Sequence, residues 1–246
     1  MTSVVATAMI LAAGRGERMR PLTDNCPKPL LEVRGKPLMQ WPMEALAREG
    51  FCDLIINTAW MGEKIPAHYG EHPIVGGHTL DIRYSHEGRD FGHALETAGG
   101  IARALPLLDE VFWVTAGDVY MPDFRFSRQA FERFTASGKL AHIWLVPNPP
   151  HNLKGDFGLA PEGLALRDAD LRYTFSTVGI YRKALFSTLP AGNPAGINAP
   201  LAPLLRAAMD SGLASAELYK GQWVDVGTPQ RLAQLNLDDT ARDTKY

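Results

Sequence analysis

A chain of 246 residues with 25 lysines and arginines against 27 aspartates and glutamates, a formal net charge of -2, has no basic field for nucleic acid and no polybasic patch for a membrane. Its two cysteines, Cys26 and Cys52, lack Cys-x-x-Cys spacing, which argues against a disulfide framework or a zinc site and fits a reducing, cytoplasmic setting. No apolar run approaches the ~20 residues of a membrane span, no lysine or arginine precedes the first apolar run as in a secretory leader, and no repeat is present, so the expectation is one large α/β domain acting on small molecules.

In chain order, Ala8-Met9-Ile10-Leu11 reads as a short buried strand that two glycines break at once. From Leu11 to Leu30 (LAAGRGERMRPLTDNCPKPL) a loop carries three fixed cations, Arg15, Arg18 and Arg20, with Lys28 held between two prolines. Gly14 and Gly16 let backbone N–H groups turn inward as an anion-binding nest, over which the cations can close on a triphosphate. Met19 stands where a dinucleotide fingerprint needs its third glycine, and the Gly-Lys-Ser/Thr of a P-loop is absent. Pro37 to Arg48 reads as a helix with Pro37 in its first turn and Gly50 as its stop, and Asp53 to Thr58 as a second buried strand. The opening is therefore a βαβ unit whose loops lie at the carboxyl edge of a parallel sheet, where ligands gather.

Leu80 to Tyr84 alternates as a third strand, antiparallel or at an edge, and Ser85 to His93 reads as a loop over the same edge, leading to a helix from about Ala94 to Leu105. Adjacent glycines, Gly99 and Gly100, inside that helix cost about 1 kcal/mol each relative to alanine. Two readings stand for them: close packing of helix on sheet, or bare backbone for a flat ring whose edge meets Glu96 or Thr97 and nearby amides. Val111 to Thr115 is a further core strand, followed by Gly117-Asp118, an aspartate placed for a metal or for capping the next loop. Phe124 to Ala136 reads as a helix and Leu140 to Val146 as a strand, after which Pro147 to Gly158 shifts to prolines, asparagines and glycines. Tyr173 to Tyr181 is a β-segment whose alternate Ser and Thr residues either meet sugar hydroxyls or form an ordinary polar face. Last, a short strand carries Asp225, Gly227 and Thr228 turn the chain, and Pro229 starts a helix through Leu235.

The first loop resembles the nucleotide-binding loop of the sugar-1-phosphate nucleotidyltransferases, Leu-Ala-Ala-Gly-x-Gly-x-Arg-Met-x-Pro-Leu-Thr followed by Pro-Lys-Pro-Leu, every letter of which is present between Leu11 and Leu30. Leu95 to Gly99 resembles the family's Leu-Gly-Thr-Ala-Gly base-holding segment, with Glu96 in place of glycine, and Trp223 to Pro229 resembles Trp-x-Asp-Ile-Gly-Thr-Pro, with Val226 for isoleucine. The resemblance implies a single Rossmann-like nucleotidyltransferase domain over residues 1–246, with a mixed, mostly parallel central sheet flanked by helices. Residues to about 146 would form the nucleotide-binding core and residues from about 147 the sugar-phosphate-binding half.

It implies nucleotide contacts from Leu11, Ala13, Gly14, Gly16, Glu17, Glu96, Thr97, Gly99 and Gly117. Arg18 and Lys28 would be the catalytic cations, Asp118 and Asp225 the ligands of Mg2+, and Asp156, Ser176 and Thr177 the sugar-phosphate contacts. The family's Glu-Lys-Pro string, whose lysine meets the sugar phosphate, is absent, and Gly155-Asp-Phe-Gly158 is found instead. The implied reaction is attack by a sugar 1-phosphate on the α-phosphorus of a nucleoside triphosphate.

The strings Gly155 to Phe157, Thr174 to Ser176, Ala202 to Arg206 and Trp223 to Thr228 are similar to those of the branch that acts in bacterial cell-wall recycling, the N-acetylmuramate 1-phosphate uridylyltransferases. That likeness favours UTP as donor and N-acetylmuramate 1-phosphate as acceptor. The alternatives are another base and acceptor on the same core, or a regulatory subunit that binds nucleotide sugar without turnover. The second would not need Arg18, Lys28, Asp118 and Asp225 together.

Overall fold

The computed structural model describes residues 6–240. Its elements, in order, are β1 (Ala8–Leu11), α1 (Gln40–Arg48), β2 (Asp53–Thr58), α2 (Lys64–Tyr69), β3 (Asp81–His86), α3 (Glu87–Phe91), α4 (Glu96–Ala104), β4 (Val111–Ala116), α5 (Arg128–Ala136), β5 (Ala141–Val146), β6 (Thr174–Arg182), α6 (Ala202–Asp210), β7 (Ala214–Leu218) and α7 (Pro229–Thr240), joined by loops and two-residue ladders. The seven strands form one sheet in the order β7-β5-β6-β4-β1-β2-β3. β1 pairs in parallel with β2 and β4, β2 with β3, and β5 with β7, while β6 runs antiparallel to β4 and β5.

Apolar runs dictate this arrangement, because a strand with no polar face must be covered on both sides. Successive residues point to opposite faces. Ile10, Leu54, Ile56 and Trp113 accordingly pack on one face under Met43, Leu46, Phe131 and Phe134 of α1 and α5, with Ile65 of α2. Met9, Ile55, Phe112 and Val114 pack on the other under Ala98, Ile101, Leu205 and Met209 of α4 and α6. A third cluster joins Met19, Val33, Leu38 and Tyr120 to Val226, Leu232 and Leu235, so α7 closes over the first loop.

Several elements depart from the pattern-based expectation, each for a local reason. The helix expected from Pro37 begins at Gln40, because Lys36–Pro37 pairs with Glu32–Val33 in a hairpin whose turn, Arg34 (φ 51°) and Gly35 (φ 76°), is left-handed at both positions. Pro42 falls in the first turn of α1, where no intrahelical N–H bond is lost. β3 lies at the sheet edge as one of its two expected placements had it, running parallel to β2, while the expected loop after it folds into α3. The helix expected from Phe124 starts at Arg128, where Ser127 caps it by accepting from the Ala130 N–H, and Phe124 and Phe126 enter the core from extended chain. α2, α6 and β7 had no counterpart in the expected elements. The ends of the expected 1–246 unit, residues 1–5 and 241–246, lie outside the described residues.

The antiparallel strand decides what meets at the carboxyl edge. β6 enters the sheet there with Phe175 opposite Leu145 and Gly179 opposite Val114, so Ser176 and Thr177 stand near the end of β4. On the far side of the sheet, His142 of β5 pairs with Ser215 of β7, its Nδ1 2.9 Å from Ser215 Oγ.

Burial pushes the His142 imidazole from its ordinary 6.5 down to about 4, a shift that Glu217 opposes and Arg133 reinforces. The folded ring stays neutral while the unfolded one takes up a proton, so the stability it contributes is present above 6.5 and lost as pH falls toward 4. His142→Gln is therefore expected to lose less of its melting temperature than the parent between pH 7 and about pH 5. Equal losses in a calorimetric scan would show that another group titrates.

Candidate active site

The site grows from the end of β1. Leu11 O accepts the Gly117 N–H at 2.9 Å, which ties the exits of β1 and β4 together. Gly117 is tight here, since a Cβ would lie 3.2 Å from both Ile10 Cγ2 and Leu11 O. Beyond Leu11, Gly14 faces open space, while Gly16 (φ 65°) turns back over Lys28 and Thr23. A Cβ on Gly16 would sit 3.1 Å from Lys28 Cβ and from Thr23 Cγ2, so both backbone angle and space require glycine. Thr23 Oγ1 and the Met19 N–H both donate to Gly16 O at 2.9 Å, fixing the turn.

This frame sorts the cations. Lys28 is buried, and its Nζ lies 2.6 Å from Asp118 Oδ2. Arg20 pairs with Asp24 at the surface, and Arg15 lies over the Trp60 ring at 3.3 Å while donating to Thr23 O. Arg18 forms no ion pair or side-chain hydrogen bond among the described residues and faces a cavity.

Two cavities adjoin and share Leu11, Gly14 and Asp118. The smaller, about 360 Å³, is walled by Gly16, Glu17, Arg18, Lys28 and Gly227, a pocket that sets two cations beside bare backbone and the Glu17 and Asp118 carboxylates. The larger, about 520 Å³, is walled by Ala13, Glu96, Thr97, Ala116, Phe175 and Thr177 without a lysine or arginine. Asp225 stands behind Gly227: residues 224–225 pair with 119–120, and the Val226 N–H donates to Asp118 O at 3.1 Å. Both Asp225 oxygens accept from Arg231 Nη1, at 2.8 and 2.7 Å, and His151 Nε2 lies 3.0 Å from Oδ1.

Of the sequence-derived residues, Leu11, Ala13, Gly14, Gly16, Glu17, Arg18, Lys28, Glu96, Thr97, Asp118 and Thr177 line these cavities. Gly99 and Gly117 do not. A Cβ on Gly99 would run into Ile197 O, and one on Gly100 would lie 2.5 Å from Glu87 Oε1, so close packing rather than an approaching ring uses both glycines. The amides of Ala98 and Gly99 are occupied as well, both donating to Ala199 O. Asp156 is turned to structure: its Oδ2 accepts the Phe175 N–H at 2.8 Å, and Asn152 Nδ2 donates to both oxygens. Ser176 is buried, its Oγ accepting the Val178 N–H and its carbonyl the Trp223 Nε1–H. Asn57 and Glu87 line the larger cavity without having been singled out, since a polar residue at a strand end carries no signal of its own, and Phe175 lines it from the Thr174–Ser176 string.

The donor set bears on a metal. Two carboxylates on hydrogen-bonded segments, beside a cavity lined with backbone and cations, offer oxygen alone, which suits a hard divalent cation that takes its remaining ligands from phosphate and water. Among the described residues no group of three His, Cys, Asp or Glu side chains converges, so a closed all-protein site of the zinc kind does not fit.

Comparison with known proteins gives a consistent answer. The family model described as Nucleotidyl transferase matches residues 7–165. The chain is 46% identical, over 92% of its own length and 95% of the relative's, to the N-acetylmuramate alpha-1-phosphate uridylyltransferase of Neisseria meningitidis serogroup B. It is 29% identical over 94% of its length, and 95% of the relative's, to the protein of the same name from Caulobacter vibrioides. Among solved structures, a Bacillus anthracis chain described as a glucose-1-phosphate thymidylyltransferase superposes with a TM-score of 0.78 at 20% identity, covering 98% of this chain and 97% of that one, a likeness of fold.

Thr177 holds a left-handed φ of 67°, a strained angle for a β-branched residue, at the irregularity in the β5–β6 ladder. Thr177→Gly is expected to release about 1 kcal/mol and raise the melting temperature by about 2–4 °C. A lower midpoint would mean that the Thr177 Oγ1–H bond to Ser176 O outweighs the strain.

Proposed function

The chain belongs to the nucleotidyl transferase family, and from that premise we propose that this nucleotidyltransferase moves UMP from UTP to N-acetylmuramate 1-phosphate, releasing pyrophosphate and forming UDP-N-acetylmuramate. The observation that supports the reading most strongly is the pair of adjoining cavities meeting at Asp118, one holding Arg18 and Lys28 and one without cations, at the edge where β1, β4 and β6 meet. The choice of uridine and of the muramate acceptor rests on likeness to the Neisseria relative. With a cell-wall sugar as acceptor, the proposed role is peptidoglycan recycling in the cytoplasm.

The chemistry asks for alignment and charge neutralisation more than for proton transfer. The acceptor phosphate is already an anion, so an oxygen of it forms the new bond to the α-phosphorus while the bond from that phosphorus to the bridging oxygen of the β-phosphate breaks, without a general base. In this reading Arg18 grips the β- and γ-phosphates that leave, with guanidinium geometry matched to paired phosphate oxygens. Lys28 lies at the α-phosphate, aimed by its bond to Asp118. Gly14, Gly16 and Glu17 border the triphosphate, Leu11, Ala13, Glu96 and Thr97 the nucleoside, and Thr177 the sugar phosphate. Asp118 and Asp225 would hold Mg2+, which when bound offsets charge on the phosphate oxygens.

Pyrophosphate release should require UTP together with N-acetylmuramate 1-phosphate when UTP, CTP, GTP, ATP and dTTP are each paired with that acceptor, glucose 1-phosphate and N-acetylglucosamine 1-phosphate. Release with another pair only would overturn the proposed substrates while leaving nucleotidyl transfer standing. Lys28→Ala should lower kcat by about 10²–10³ through loss of one preorganised charge, and an unchanged kcat would remove Lys28 from the chemistry.

A further inference from the structure

Glu87, the first residue of α3, is fully buried, and among the described residues it forms no ion pair. Burial raises its carboxyl above the ordinary carboxylate value, against the Leu95 and Asn57 hydrogen bonds that pull it down. Both oxygens are engaged: Asn57 Nδ2 donates to Oε1 at 2.6 Å and the Leu95 N–H to Oε2 at 2.7 Å. Asn57 Oδ1 in turn accepts the Ala12 N–H at 2.8 Å. One line of three hydrogen bonds thus runs from the exit of β1, through the ends of β2 and β3, to the turn into α4.

What hangs on the two ends of that line is the cavity wall. Ala12 precedes Ala13 and Gly14, and Leu95 precedes Glu96 (φ 61°) and Thr97, all four of which border the larger cavity. α4 makes way for the line, since a Cβ on Gly100 would lie 3.0 Å from Asn57 Nδ2 as well as against the carboxylate. A buried carboxylate is poor evidence of added stability, because apolar residues of the same volume serve that end as well. What it supplies is direction: two backbone amides from distant segments are aimed by acceptors that cannot rotate away.

We propose that Asn57 and Glu87 are positioning residues that hold the phosphate loop and the Leu95–Thr97 turn as one rigid nucleotide seat. The proposal rests on the nucleotide-binding reading given above, and neither residue touches the reacting atoms.

The polarity of the line makes it testable. Glu87→Gln leaves one oxygen for two donors and sets amide against amide at Asn57. Asn57→Asp sets two acceptors against each other. In the double variant Asn57→Asp/Glu87→Gln, the new amide at 87 donates to the new carboxylate at 57, its oxygen still accepts from Leu95, and the carboxylate still accepts from Ala12. Every bond is restored with the charge moved by one residue.

The experiment is calorimetric binding of UTP with magnesium and no acceptor, alongside melting curves and the acceptor KM. Each single variant should bind UTP about 10-fold or more weakly at a temperature where it is folded, the double variant within about 3-fold of the parent, and the acceptor KM should stay within about 2-fold throughout. If Asn57→Asp does not fold, Glu87→Gln and the double variant carry the comparison. Single variants that bind as the parent does, or a double variant no better than Glu87→Gln, would overturn the proposal. A parent chain that binds UTP but transfers nothing would count against the transfer reading alone.

Discussion

The carboxyl edge of the sheet depends on one ion pair, Lys28 to Asp118 at 2.6 Å. The lysine side chain is 10% exposed and the aspartate 39%, so one partner has left water while the other still faces the cavities. Such a pair recovers little more than its own desolvation, and its value lies in position. It pins the loop that leaves β1 to the residue that follows β4, across 90 positions of sequence. The neighbouring sequence makes sense as support for it. Pro27 and Pro29 stiffen the backbone on either side of the lysine, Gly16 leaves room for its stem, and Pro29 O accepts the Met39 N–H at 3.0 Å to hold the loop's exit.

Charge explains the rest of the composition around the pair. Bringing two phosphates to about 4 Å costs about 4 kcal/mol per unit charge product at an effective dielectric of about 20, so positive charge is required beside the reacting centre. Arg18, Lys28 and Arg231 stand among Glu17, Asp118 and Asp225, with His151 beside the last, so a bound divalent cation would supply the excess positive charge. Arg231 and Arg18 both flank Gly227, whose Cβ would lie 3.1 Å from one guanidinium and 3.4 Å from the other. A single reversed strand completes the arrangement, because β6 brings Phe175 and Thr177 to the edge where the parallel strands end.

Strands were legible where both faces are buried. Residues 54–56 and 111–114 are apolar without alternation because helices cover them above and below, and that pattern survives in the sequence alone. The loop after β1 and the segments that carry Asp118 and Asp225 were legible from turn chemistry, while their roles toward phosphate and metal came from the family resemblance. Where the same residue types have two uses, sequence could not choose between them. Gly99 and Gly100 serve packing against Ile197 and Glu87, and Asp156 and Ser176 hold β6 and its bulge, although each fitted a ligand equally well on paper. Asn57 and Glu87 could not be found at all, since their meaning lies in a contact between β2 and α3 that only the fold creates.

The most direct test of nucleotidyl transfer at this edge is the fate of the phosphorus atoms. UTP labelled at the α-phosphate and, separately, at the γ-phosphate would be incubated with magnesium and N-acetylmuramate 1-phosphate, and the products separated. Transfer places the α-label in the nucleotide sugar and the γ-label in pyrophosphate, with neither released when the acceptor is left out. An α-label recovered in UMP or UDP, or a γ-label in inorganic phosphate formed without acceptor, would contradict it and show hydrolysis instead.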